Sequence, residues 1–176
     1  MVKAVFLDRD GVINANLRRD GKPVAPTTLA EFRILPGAPE AARRLKDAGF
    51  LLVIVTNQPD VRTGLTPKPV MEAMNEQILQ RMPVDDVMIC FHIDADQCAC
   101  RKPKPGMILE AAKRHGIELK RSFLVGDKWR DVRAGQAAGC HTIFVDYGDP
   151  QDQPATPDKI VGSLAEAADY ILARAS

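Results

Sequence analysis

Hydrophobic positions along the chain fall into short clusters separated by stretches with helical spacing. Val5–Leu7, Phe50–Val55, Val87–Phe91, Ser122–Val125 and His141–Val145 are apolar runs of strand length, and Lys159–Val161 adds a short edge strand. Between them, Ala41, Leu45 and Ala48 line one side of a helix that starts at Leu35-Pro36-Gly37 and stops at Gly49. Val70, Met74 and Ile78 recur every four residues from Pro67 to Arg81, with the methionines read as core filler. Further helices are predicted over Gly106–His115, Trp129–Ala138 and from a Ser163 cap to about Ala173.

Strands alternating with helices predict an α/β fold, a doubly wound, three-layer, Rossmann-like parallel sheet. No stretch between the strands is long enough for a large cap, so residues 1–176 read as one domain. Two polar segments remain. Ala15–Thr28, with Pro23 and Pro26, reads as an active-site loop, and Tyr147–Asp158 as a surface loop.

Composition narrows the class. With 45% hydrophobic and 27% charged residues, the chain is an ordinary globular one. A net charge of +1 and the lack of any basic run give no footprint for nucleic acid. Met1–Leu7 lacks the apolar centre of a signal peptide, and no run approaches the ~20 apolar residues of a membrane span. A cytoplasmic protein with no membrane partner is the expectation.

The candidate chemistry starts at VFLDRDGVIN, Val5 to Asn14. Asp8 and Asp10, spaced i, i+2 at the end of a buried strand, project to one side of the backbone. Such a pair suits covalent phosphoryl transfer, one carboxylate attacking phosphorus and the other serving as acid and base. In a doubly wound sheet the strand ends open on one edge, which would also carry Thr56, Asn57 and Asp127, with Lys102 just before a helix. Thr56 and Lys102 would bind phosphate oxygens. The magnesium group is Asp8, Asp10 and Asp127, one ligand being a backbone carbonyl. Arg9 would screen the site. Taken singly, each residue has a plain structural reading as a cap, a turn acid or a solvated charge; their arrival on one edge in this order does not.

FLDRDGVIN, VIVTNQ, RKPKPG and LVGDKWRD resemble the four motifs of the haloacid dehalogenase superfamily of phosphatases. The resemblance covers roughly Lys3 to Val145. It is nearest the branch of D-glycero-D-manno-heptose-1,7-bisphosphate 7-phosphatases and histidinol-phosphate phosphatases. It implies Asp8 as nucleophile, Asp10 as acid/base, Thr56, Asn57 and Lys102 at the phosphate, Arg101 at the substrate, and Asp131 and Lys128 in support of the metal site. A small phosphorylated metabolite, a sugar bisphosphate foremost, is the implied substrate, with histidinol phosphate as the alternative. Two departures bear on substrate choice rather than chemistry. Thr56-Asn57-Gln58 continues with Pro59-Asp60-Val61-Arg62, and Phe91 stands where the branch has proline.

Cys90, His92, Cys98 and Cys100 form C-x-H-x5-C-x-C, a Cys3His set suited to a closed, structural zinc site. Cys98 and Cys100 are too close in sequence for an unstrained disulfide. The zinc-held loop would present Arg101 and Lys102 to the crevice, and the resemblance implies the same loop. Cys140, His115 and His141 read as structural residues.

Two other classes share features with this chain. A signalling receiver domain also uses a phosphorylated Asp, but takes it from a later strand. A catalytically silent, zinc-stabilised binding module has no chemical use for Asp8, Asp10, Asp127 and Asp131 together.

Overall fold

Strand β1 (Ala4–Leu7) is buried at all four positions because helices cover both faces of the sheet it belongs to. In this computed structural model, which describes residues 2–154 and 156–175, the alternation of its side chains divides two cores. Val5 and Leu7 pack on one side with α1 (Ala38–Asp47), α3 (Lys68–Arg81) and α6 (Leu164–Ala175) through Leu45, Met74, Ile78 and Ile171. Ala4 and Phe6 pack on the other with α4 (Gly106–His115) and α5 (Trp129–Ala138) through Met107, Ile108, Ala111 and Ala134. Each large side chain so buried contributes about 1.5–3 kcal/mol of transfer free energy.

The remaining strands of the sheet are β4 (Leu51–Asn57), β5 (Asp86–Cys90), β6 (Phe123–Gly126), β7 (His141–Val145) and β8 (Lys159–Val161). All pairings are parallel, in the order β5-β4-β1-β6-β7-β8. The chain winds from β1 out to β5, then returns to the other side of β1 with β6. The order therefore reverses between β1 and β6, where the carboxyl ends leave a ligand crevice. The Asp8 amide donates to the Val125 carbonyl at 3.0 Å, so the first catalytic candidate is fastened at that switch point. Among the described residues no segment forms a large cap. Ser163 caps α6 as expected, its Oγ accepting from the Glu166 amide at 3.2 Å.

Differences from the sequence reading lie in the connections. Within Ala15–Thr28 the chain forms an antiparallel hairpin, β2 (Leu17–Arg19) and β3 (Lys22–Val24). Its turn is Asp20-Gly21, both with positive φ, a conformation that the dipeptide accommodates at little cost. Charged residues on both arms hid the strand alternation. After β4 comes a one-turn helix, α2 (Pro59–Thr63), started by its proline. The segment read as a surface loop is mostly exposed, but two of its acids turn inward: the Asp149 and Asp152 side chains are 11% and 17% exposed. Among the described residues no helix is long and apolar enough to cross a membrane.

Candidate active site and metal loop

Asp8 and Asp10 follow β1 directly, and both are buried. Gly11, at φ 91°, turns the chain away, and a Cβ there would lie 2.0 Å from Asp127 Oδ2. Only glycine lets the catalytic turn and the Asp127 carboxylate lie so close together. Asp127 ends β6, and Asp131 comes from the first turn of α5, where its Oδ2 accepts from the Lys128 amide at 3.0 Å. One carboxylate oxygen from each of Asp8, Asp127 and Asp131 lies within 4.8 Å of the others.

Lys102 is the cation among them. Its Nζ is 2.8 Å from Asp8 Oδ1, 2.6 Å from Asp131 Oδ1 and 2.7 Å from the Val55 carbonyl. Burial works against its charge, but the attraction of Asp131 and Asp8 outweighs it and the ammonium pKa is raised. Asn57 fixes the Lys102 backbone from both sides, Nδ2 donating to its carbonyl and Oδ1 accepting from its amide, each at 3.1 Å.

One cation does not neutralise three acids. Burial, followed by repulsion from Asp131, raises Asp8 to about 6 despite Lys102. Burial, followed by Asp8 and Asp131, holds Asp127 well above its ordinary value. Asp127 Oδ2 accepts from Asn16 Nδ2 at 2.8 Å, whereas its buried Oδ1 has no hydrogen-bond partner. Hard oxygens, surplus negative charge and an orphaned acceptor fit a magnesium ion.

The Asp10 side chain lies outside this trio. Its Oδ1 accepts from Arg9 Nη2 at 3.0 Å and Asn14 Nδ2 at 2.9 Å, and its Oδ2 from Gln58 Nε2 at 2.7 Å. Arg9, expected to screen the site, is instead fully buried and links Asp10 to Asn75 of α3 at 3.0 Å. Thr56 is also fully buried, its hydroxyl accepting from Gln58 Nε2 at 2.9 Å. A crevice of about 180 Å³ opens above, lined by Asp8, Asp10, Asn57, Arg101, Lys102, Lys128, Arg130 and Asp131 among others.

Cys90, His92, Cys98 and Cys100 converge beside this crevice. Cys90 Sγ is 3.5 Å from His92 Nδ1 and 3.7 Å from Cys98 Sγ; Cys100 Sγ is 3.3 Å from His92 Nδ1 and 3.5 Å from Cys98 Sγ. Cys90 and Cys100 approach more closely, at 2.9 Å, and all four cysteines of the chain are free thiols. A tetrahedron of Zn–S bonds of about 2.3 Å has edges of about 3.8 Å, so the other spacings suit a closed zinc site, while Cys90 and Cys100 would part to take one. The Arg101 amide donates to Cys98 Sγ at 3.3 Å, a bond that favours thiolate. Acids on the loop hold Arg101 and Arg130 at the crevice and tie the loop to α2. Asp94 is 2.7 Å from Arg101 Nε and 3.6 Å from Arg130, and Asp96 is 2.8 Å from Arg62 of α2. Cys140 lies apart, buried under α5, with burial pushing its thiol up to about 12.

The sheet order, the D-x-D-G turn at its switch point and the buried Lys102 define a hydrolase of the haloacid dehalogenase class. The family described as HAD-hydrolase-like matches residues 99–167. A D-glycero-β-D-manno-heptose-1,7-bisphosphate 7-phosphatase from Rhodopseudomonas palustris is 40% identical over 148 residues, 77% of this chain and 79% of that protein. The Bordetella bronchiseptica enzyme of the same name is 33% identical over 99% of this chain and all of its own length. The crystal structure of D,D-heptose 1,7-bisphosphate phosphatase from B. bronchiseptica, complexed with magnesium and phosphate, superposes with a TM-score of 0.85 at 32% identity, covering 98% of this chain and 99% of that one. The chain belongs to the heptose-bisphosphate 7-phosphatase family and is a phosphoric monoester hydrolase.

Of the residues expected at the site from sequence, Asp8, Asp10, Asn57, Arg101, Lys102, Lys128 and Asp131 line the crevice, Thr56 is buried, and Asp127 lines the adjoining cavity. Sequence reasoning missed Asn16, Gln58, Asn75 and Arg130. Gln58 stood in the T-N-Q motif without a role, and Asn75 sat on the buried side of a helix whose apolar stripe masked it.

Proposed function

We propose that this protein removes the 7-phosphate of D-glycero-D-manno-heptose 1,7-bisphosphate, with residues 1–176 acting as one catalytic unit. The observation that carries the reading is Asp8, buried at the switch point and bonded to Lys102, in a crevice whose outer wall adds Arg101, Lys128 and Arg130. One phosphate meets the Asp8 end, and the surplus cations at the mouth suit a second anionic group.

Asp8 attacks phosphorus, forming an aspartyl phosphate as the ester P–O bond breaks, and Asp10 gives its proton to the departing sugar oxygen. Asp10 then takes a proton from water as that water attacks phosphorus. The Asp8–phosphorus bond breaks, and inorganic phosphate leaves. Magnesium, held by Asp8 and Asp127 with the Asp10 backbone carbonyl, would offset negative charge on the phosphoryl group when bound. Asp131 orients Lys102 against Asp8. The Thr56 hydroxyl accepts from Gln58 and keeps its own proton to donate to the phosphate. Structural zinc at Cys90, His92, Cys98 and Cys100 would hold Arg101 in place.

Phosphate release with Mg²⁺ is the test, over both anomers of heptose 1,7-bisphosphate, other sugar bisphosphates and histidinol phosphate. A preference in kcat/KM for heptose bisphosphate is the expected result. A preference for histidinol phosphate would keep the mechanism and move the substrate.

A further inference from the structure

The segment 146–153 borders the crevice, its Tyr147, Asp149 and Asp152 lining an adjoining cavity of about 180 Å³ together with Asn16 and Asp127. Tyr147 Oη donates to the Gly11 carbonyl of the catalytic turn at 2.8 Å. Asp149 lies 3.9 Å from Arg18 on the hairpin, and Asp152 Oδ2 lies 3.1 Å from Lys128 Nζ. The turn is braced from within. The Gln151 amide donates to Asp149 Oδ1 at 3.0 Å, and Gln153 Nε2 donates to Asp146 Oδ1 at 3.0 Å. Asp152 is thus held against Lys128 by a folded segment and does not swing freely on a tail.

Lys128 and Lys102 both line the crevice but are bound differently. Lys102 is engaged by two buried acids and a carbonyl at the crevice floor. The Lys128 side chain is one-third exposed, and its close partner is a carboxylate from outside the catalytic strand ends. An anion in the crevice and the Asp152 carboxylate therefore seek the same ammonium.

We propose that Asp152 is a built-in counter-anion that competes with phosphate for Lys128 and so weakens the grip of the crevice on its inorganic product. The proposal rests on the phosphatase reading. It assigns a role in product release to a segment outside the catalytic motifs. An anion that must draw a partly exposed ammonium away from its carboxylate partner binds more weakly by roughly three- to tenfold.

Calorimetric titration of the whole, zinc- and Mg²⁺-loaded protein with inorganic phosphate tests this without turnover. Asp152→Asn and Asp152→Ala should each tighten phosphate binding by roughly three- to tenfold. In a Lys128→Met background, Asp152→Ala should change nothing, because the competition needs the ammonium. Unchanged or weaker binding in both Asp152 variants would overturn the proposal, as would a tightening that persists without Lys128. Absence of phosphate binding by the unaltered protein and by both Asp152 variants alike would instead count against the crevice as the phosphate site, and this inference would fall with it.

Discussion

The carboxylate centre and the cysteine loop stand side by side but are built in different ways. The first is assembled by the sheet. Asp8, Asp127 and Asp131 come from two adjacent strands and the helix after the second, and buried backbone and core hold them in mutual repulsion. The second is assembled by short-range chain. Its four thiol and imidazole donors lie between residues 90 and 100, mostly half-exposed, with little apolar content of their own. A rigid scaffold can keep like charges together until a cation arrives; a short loop of this composition would draw its shape from a metal held by its donors.

The largest expected effect belongs to the first region. Asp8→Asn should lower turnover by at least roughly a thousandfold while leaving the thermal transition within a few degrees, read by phosphate release and circular dichroism. Stripping zinc with a chelator should do the reverse in kind. The melting temperature is expected to fall by about 5 °C or more, with KM for a bisphosphate rising as Arg101 loses its support. A metal-stripped protein with unchanged melting and KM would erase the contrast between the two regions. Arg9→Met should cost about 3–5 kcal/mol in denaturant unfolding, because it leaves the buried Asp10 and Asn75 without their shared donor.

The smallest effect sharpens the electrostatic half of the comparison. Asp8 has a folded-state pKa raised from 3.8 to about 6. Between those values the folded protein holds the extra proton, so metal-free stability should fall as pH rises through this window. Mg²⁺ relieves the repulsion that develops, so its stabilisation should be greater at pH 7 than at pH 5. Equal Mg²⁺-induced shifts in melting temperature at both values would contradict this account.

Much of this was readable from sequence, for different reasons in each region. Asp8 and Asp127 were visible because a buried apolar strand must end where its polar residues begin, and the doubly wound order brings those ends together. The Cys90-to-Cys100 cluster was visible because its donors are close in the chain. The hairpin Leu17–Val24 was hidden by charges on both arms, and Arg9 misled because an arginine between two aspartates reads as exposed. Its burial depends on Asn75, a partner 66 residues away that no local pattern discloses. The inward turn of Asp152 is likewise a long-range fact, set by Lys128 and Gly11.

The position of β1 has a further consequence. Its backbone is bonded on both sides, to β4 and to β6, and its side chains fill both cores. Amides of Val5 to Leu7 should therefore exchange with deuterium only when the whole molecule opens. Asp8 is tied to the last segment to open. A heated sample should therefore keep its nucleophile seated in every molecule whose sheet is still closed, so covalent labelling of Asp8 should be lost together with the sheet.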